Sequence, residues 1–222
     1  MTALEAHRIW SEVYDEFPNP LLALEMRVVA GLLEPLENRR FVDVGCGTGR
    51  WLAHAESQGA RVFGIDFCCE MLLRAAAKPR LAGRLALANA ERLPFPGRVA
   101  DLVVCSFVIG YLDEPSLAVR QMERVSAPGA KIVVSELHPD AVEAGWKRGF
   151  RHNGTAYEIE HSPHPIPCLL EAASEAGLRL DCTEVASFGE PEREIFLRAG
   201  KAHLFDDASR VPAIWTGVWS KP

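Results

Sequence analysis

The residues Asp43-Val44-Gly45-Cys46-Gly47-Thr48-Gly49 form the most chemically specific stretch of this chain. Alternate glycines let a backbone turn tightly and approach a ligand closely. The stretch follows an apolar β-branched run and opens a helical one. It therefore ends at a helix N-terminus, where free N–H groups and a positive dipole end favour an anionic group. Asp66 closes the next apolar run. An acid about 20 residues beyond the first glycine, at the tip of a second strand, is placed to bond ribose hydroxyls. The spacing is G-x-G-x-G, with Arg50 where a dinucleotide fingerprint has its third glycine. Asp43, just ahead of the glycines, repels a pyrophosphate and attracts an ammonium. A ligand with an amino acid, a ribose and an adenine meets these demands, and S-adenosylmethionine is such a ligand.

A second group of candidates lies further on. Ser135-Glu136-Leu137-His138 ends an apolar run, and residues at the C-terminal edge of such a sheet face the ligand crevice. Strand alternation puts Glu136 and His138 on one side. His138 is thus the candidate catalytic base, with Glu136 as its orienter. The run Gly145 to Arg151 interleaves Trp146, Lys147, Arg148, Phe150 and Arg151. It reads as an anion and aromatic clamp for a substrate carboxylate or phosphate, with Trp146, Arg148 and Arg151 as candidate substrate contacts. Tyr157, His161 and His164 fall in an irregular segment that covers the site. His161 and His164 have no third ligand at convincing spacing, and Pro163 and Pro165 stiffen them, so no metal site is expected.

The elements that must position these residues alternate. Residues 1–38 are helical, with Leu22, Met26, Val29, Leu33 and Leu36 at helical spacing and Pro18 and Pro20 at the entry. Strands are expected at 41–44, 61–65, 84–88, 101–106 and 131–137. Helices are expected at 50–57, 70–78 and 115–125. Residues 138–165 lose the pattern. A helix over 168–176 and strands over 178–186 and 211–219 follow, with 189–202 polar and helical or looped. The fourth strand is almost wholly apolar, as a strand covered on both faces should be. Such alternation implies an α/β fold, a doubly wound, mostly parallel sheet with helices on both faces. The expected layout is one domain over 1–222. It comprises a helical cap (1–38), a cofactor-binding core (39–138), a substrate-covering insertion (139–165) and C-terminal strands (166–222).

The chain resembles the class I S-adenosylmethionine-dependent methyltransferases, in particular the small-molecule, type 11-like branch. The likeness is carried by Phe41 to Arg50, by Gly64-Ile65-Asp66 and by Asn89-Ala90-Glu91-Arg92-Leu93-Pro94-Phe95. Asp101 to Phe107 with Tyr111-Leu112, and Pro128-Gly129 with the run to Ser135, complete it. It covers residues 12–138 well and 166–222 loosely. It implies a Rossmann-like seven-stranded sheet in the order 3-2-1-4-5-7-6, with strand 7 antiparallel. It implies that Asp43, Gly45, Cys46 and Gly47 meet the methionine end of S-adenosylmethionine, and that Asp66 binds the ribose diol. Phe67 packs on the adenine, and Asn89 and Ala90 meet its edge. Asn89 stands where the family usually has Asp, and its carbonyl still accepts. Cys105 and Ser106 line the cofactor's centre. Tyr14 belongs to an N-terminal element that closes over the methionine, and Tyr111 falls on the substrate side. Gly110 replaces a residue that is often His in relatives.

Whole-chain properties bound the partners. The 222 residues carry 24 Lys+Arg and 30 Asp+Glu, a formal charge of −6, so no global pull toward nucleic acid or anionic membrane exists. The start lacks the apolar region of a signal peptide. The apolar run 21–33 is interrupted by Glu25 and Arg27, and none reaches membrane-spanning length. Six cysteines without a C-x-x-C pair read as reduced thiols of a cytoplasmic protein. The expected reaction is methyl transfer to a small-molecule acceptor, aromatic or anionic, by a monomer or homodimer. The alternatives are a methyltransferase acting on RNA or protein, and a protein that binds the cofactor without transferring its methyl. The first lacks an N/D-P-P-Y/F motif after the fourth strand. A NAD-linked dehydrogenase is more distant.

Overall fold

The computed structural model describes residues 1–222. Asn19 starts the long N-terminal helix: its side chain accepts from the Leu21 N–H, and Pro20 takes the first helical position, where a missing N–H costs nothing. The expected helical stretch is therefore two helices, α1 (Ala3–Trp10) and α2 (Pro20–Leu33), separated by a turn.

Alternation then builds the sheet. The strands are β1 (Arg40–Val44), β2 (Arg61–Asp66), β3 (Leu85–Leu87), β4 (Ala100–Ser106) and β5 (Ser126–Leu137). Helices α3 (Arg50–Ser57), α4 (Cys69–Ala76) and α5 (Pro115–Val125) connect them. Helix α7 (Ile166–Glu175), β8 (Arg179–Ala186), α8 (Glu190–Arg198), α9 (Phe205–Ala208) and β9 (Ile214–Ser220) complete the chain. The seven-stranded sheet has the order β3-β2-β1-β4-β5-β9-β8. β1 to β5 pair in parallel, while β9 runs antiparallel between β5 and β8. This is the expected order, β8 and β9 being the expected strands 6 and 7.

The period of two is visible in the core. Val42, Val44, Val103, Cys105, Ile132 and Val134 face one side, against α5 and α7. Phe41, Leu102, Val104 and Val133 face the other, against α2 and α3. Asp43 shares the Phe41 side, which sets up the site.

Residues 138–165 are more regular than their sequence suggests. They hold a short helix, α6 (Pro139–Glu143), and a hairpin of β6 (Gly149–His152) and β7 (Thr155–Glu158). The overlooked signal is Asn153-Gly154. Both residues have positive φ, 47° and 78°, as a two-residue hairpin turn requires. No helix is long and apolar enough to cross a membrane.

Candidate active site

The glycine loop runs from the end of β1 into α3. Gly45, Gly47 and Gly49 all have positive φ, and a Cβ on Gly45 would collide with Val108. Gly45 and Cys46 both donate to the Ile65 carbonyl, so the loop is laid against the end of β2. There the two Asp66 oxygens accept from the N–H groups of Gly47 (2.7 Å) and Cys68 (2.8 Å). Each oxygen keeps a lone pair for a further donor.

An acid and a base line the cleft above this loop, Asp43 buried and Arg50 half-buried. Asp43 is 1% exposed, and its Oδ2 has no hydrogen-bond partner. Burial drives its pKa up to about 8, the charge of Arg50 opposing and those of Asp66 and Glu25 adding. Arg50 binds Glu25 of α2 through Nη2 (2.6 Å), yet its Nη1 is buried without a partner. Glu25 is fully buried. Besides Arg50 it accepts from Trp51 Nε1 (3.1 Å), Ser106 Oγ (2.8 Å) and Ser135 Oγ (2.7 Å). One acid thus joins α2, α3, β4 and β5 under the cleft. Tyr14, Cys46, Ser106 and Phe107 also line it. The Tyr14 turn is held down by Asp15, which accepts from Thr48 Oγ1 and pairs with Lys78 (both 2.8 Å).

The other expected cofactor contacts are differently placed. Phe67 is 60% exposed. Asn89 is exposed and folds its carbonyl onto the Glu91 N–H (2.8 Å), an Asx turn. The Ala90 side chain and Cys105 lie in the core.

A second polar group lies where the ends of β4 and β5 meet the insertion. Glu136 Oε2 accepts from Gly110 N–H (2.9 Å) and Oε1 from Leu137 N–H (2.8 Å), and His161 Nε2 lies 3.3 Å from Oε1. Burial works against the Glu136 charge, but His161, Arg148 and the Gly110 N–H outweigh it and hold the carboxyl below its usual range. Arg148 is 7% exposed. Its guanidinium lies 4.6 Å over the Phe107 ring and 5.8 Å from the Tyr111 ring centre. The Tyr111 hydroxyl is buried and unpartnered. Burial raises that phenol's pKa, with Arg148 pulling the other way. His7 of α1 meets Tyr111 edge-on, and burial pushes its imidazole down to about 4. Trp10, Phe150 and Tyr157 stack as a wall beside it, at 5.0 Å between successive rings.

Glu136 therefore meets His161. His138 instead caps α6, its Nδ1 accepting from the Asp140 N–H (3.2 Å). The basic run is split. Arg148 turns inward, Lys147 pairs with Glu158 (2.8 Å), Arg151 is exposed on the hairpin, and Trp146 stacks on Phe188. His164 Nε2 lies 2.9 Å from the Leu112 carbonyl. Glu25 and Arg50 were missing from the sequence candidates, and His161 was named only as part of the covering segment and not as the partner of Glu136. Of these only Glu25 had a signal, an acid inside an apolar helical run.

A family described as "Methyltransferase domain" matches residues 42–134. A malonyl-[acyl-carrier protein] O-methyltransferase of Erwinia billingiae is 29% identical over 177 residues, 76% of this chain and 67% of that protein. A demethylmenaquinone methyltransferase of Anoxybacillus flavithermus is 28% identical over 144 residues, covering 59% and 61%. The chain spans about two thirds or less of the length of these curated relatives. The crystal structure of a Mesorhizobium loti S-adenosylmethionine-dependent methyltransferase shares the fold, with TM-score 0.70 and 22% identity, over 91% of this chain and all of that one. These matches make residues 42–134 a methyltransferase domain of the type 11 kind, whose cofactor is S-adenosylmethionine.

The residues present fit that cofactor. The orphaned Asp43 Oδ2 and Arg50 Nη1 in one cleft match in kind the α-ammonium and α-carboxylate of its amino-acid end.

Proposed function

We propose that the protein methylates a small molecule that carries an anionic group, and that Arg148 holds that group. The observation behind this reading is a guanidinium 7% exposed with no carboxylate partner. Glu136, whose charge acts on Arg148, commits its oxygens to two backbone N–H groups and His161. A buried cation whose nearest counter-charge is not bonded to it is costly. A carboxylate or phosphate engaged by the planar fork removes that cost and fixes the acceptor's orientation. The Trp10, Phe150 and Tyr157 wall suits an acceptor with an apolar or aromatic body. The malonyl group in the name of the Erwinia relative, which has a free carboxyl end, is in keeping with such a group.

When bound, S-adenosylmethionine supplies a methyl on a positively charged sulfur, ready for an acceptor lone pair aligned with the S–C bond. On this reading Asp43 and Arg50 hold the amino-acid end of the cofactor and Asp66 the ribose. Tyr14 closes the cleft, and Arg148 aligns the acceptor. Orientation of this kind contributes several kcal/mol, up to about 7–11 in the best cases.

The test is turnover of a panel of hydroxy- and amino-carboxylates and phosphates against neutral isosteres, in wild type and Arg148→Ala. Loss of a buried charge partner costs about 2–4 kcal/mol, so KM for anionic acceptors rises roughly 30- to 1,000-fold, with binding of S-adenosylhomocysteine unchanged. Equal use of neutral and anionic acceptors by the wild type would sink the assignment of Arg148.

A further inference from the structure

Gly110 sits in the helical turn 109–111 that follows β4. A Cβ at this position would run into the His161 imidazole at Nε2. The side chain of residue 161 thus fills the space that any other residue at 110 would occupy. The main chain agrees with this docking, because Ser162 N–H donates to the Gly110 carbonyl (2.9 Å). The His161 side chain is 5% exposed, and Nε2 faces Glu136 Oε1 at 3.3 Å.

With the Glu136 carboxyl held in its ionised form, Nε2 carries the hydrogen and donates it, which leaves Nδ1 as the ring's open acceptor. Nδ1 has no partner in the protein, whereas Nε2 has the buried carboxylate. A base oriented from behind by an acid is the arrangement that proton abstraction needs. Besides Glu136, Tyr111 of the turn meets this imidazole edge-on at 5.5 Å, and Tyr111 is itself in contact with Arg148, ahead of β6, and with His7 of α1. His164 of the same segment is occupied by the Leu112 carbonyl.

We infer that His161, seated in the gap left by Gly110 and oriented by Glu136, is the general base that takes the acceptor's proton. The inference rests on the methyl-transfer reading above and narrows the acceptor to one with an anionic group and a protic nucleophile, a hydroxyl or an amine. The acceptor's X–H bond breaks, and its electron pair stays on X to form the bond to the incoming methyl. The proton passes to Nδ1, and the resulting imidazolium is neutralised by Glu136 until solvent takes the proton. An acceptor that is already ionised, such as a bare carboxylate oxygen, would bypass this residue.

The experiment compares wild type, His161→Gln and Gly110→Ala, with the best acceptor of the panel at saturation between pH 5 and 9. Gly110→Ala leaves the histidine in the chain but displaces its ring. Wild-type kcat is expected to rise with pH to a plateau, as a base that must be unprotonated requires. Both variants are expected to lose that limb and about 100-fold or more of kcat. Affinity for S-adenosylhomocysteine, measured by calorimetry, stays within about twofold and reports that the variants are folded. Histidine 15N spectra supply a reading without acceptor: wild type shows a Nε2-protonated ring at 161, and Gly110→Ala loses its signature. If wild type turns acceptors over and His161→Gln keeps the same pH limb, the base is elsewhere, with His138 the next candidate. If no panel member is methylated at any pH, the methyl-transfer reading itself falls, and this inference with it.

Discussion

Asp43 is the buried acid of the glycine-loop cleft. Its carboxyl is buried at the end of a central strand, and its neighbours include two further acids, Asp66 and Glu25. Burial therefore raises its pKa to about 8, against the pull of Arg50. The empty protein at neutral pH accordingly holds Asp43 mostly protonated. An arriving ammonium favours the ionised form, so binding expels a proton. The sign follows: a ligand that needs the carboxylate binds more tightly as pH rises toward 8, and more weakly as pH falls below it. S-adenosylhomocysteine is expected to gain about tenfold or more in affinity between pH 6 and 8. Calorimetry in buffers of different ionisation heat should show proton release. Asp43→Asn should bind weakly with no pH slope; a slope retained in that variant would place the titrating group elsewhere. The gathering of Asp43, Gly45, Gly47 and Asp66 at one loop was legible in the sequence because a tight strand–turn–helix connection is a local, backbone constraint that only a few residue types meet. His161 was not legible as the partner of Glu136, nor Arg148 as a charge near it, because their meeting depends on how the insertion folds back over β4 and β5. Nothing in the spacing of 136, 148 and 161 encodes that.

At the scale of elements, α2 is the part that the site depends on and the core conceals. Its sequence is apolar apart from Glu25 and Arg27, and both charges are structural anchors. Arg27 clamps Glu192 of α8 with two bonds, at 2.9 and 3.0 Å, and Glu25 gathers four donors from α3, β4 and β5. Removing one partner of such a buried pair leaves an uncompensated charge. Glu25→Ala is therefore expected to lower stability by about 3–5 kcal/mol, read from denaturant unfolding. The same tether aims Arg50 at the cleft. Arg50→Gln should weaken S-adenosylhomocysteine about 10- to 100-fold, the worth of a charged hydrogen bond. It should leave 5′-methylthioadenosine, which lacks the amino-acid end, unaffected. Equal losses for both ligands would show that Arg50 only supports the fold. The acid at 25 was visible as an anomaly in an apolar stretch, but its partners were not, since helix periodicity gives the buried face and not what lies opposite. The hairpin of β6 and β7 was readable in principle from Asn153-Gly154. Its flanking residues, half polar and half exposed, hid the alternation.

The whole molecule brings the glycine-loop cleft and the Glu136–His161 group together from segments far apart in the chain. The turn at Tyr14 and Asp15, α2, the glycine loop and the end of β4 close on one side. The 109–111 turn, the end of β5 and the insertion close on the other. The strand order that makes this possible was legible through the resemblance of β1 to β5 to a known family. The cover had to be seen, because it is built from α1, the β6–β7 hairpin and the loop carrying His161, whose mutual packing is aromatic and long-range. Since a cofactor-sized ligand would bridge both the sheet and its cover, binding should stabilise the chain as a unit. A ligand present at 100 times its Kd adds about 2.7 kcal/mol, and in a domain of this size each kcal/mol moves Tm by about 2–4 °C. S-adenosylhomocysteine is thus expected to raise Tm by about 5–11 °C in one cooperative transition. NAD should leave Tm in place, because the pyrophosphate meets Asp43 where an ammonium is wanted. A shift with NAD and none with S-adenosylhomocysteine would overturn the assignment of the cleft. A shift confined to an early, separate transition would mean that the cover folds independently of the sheet.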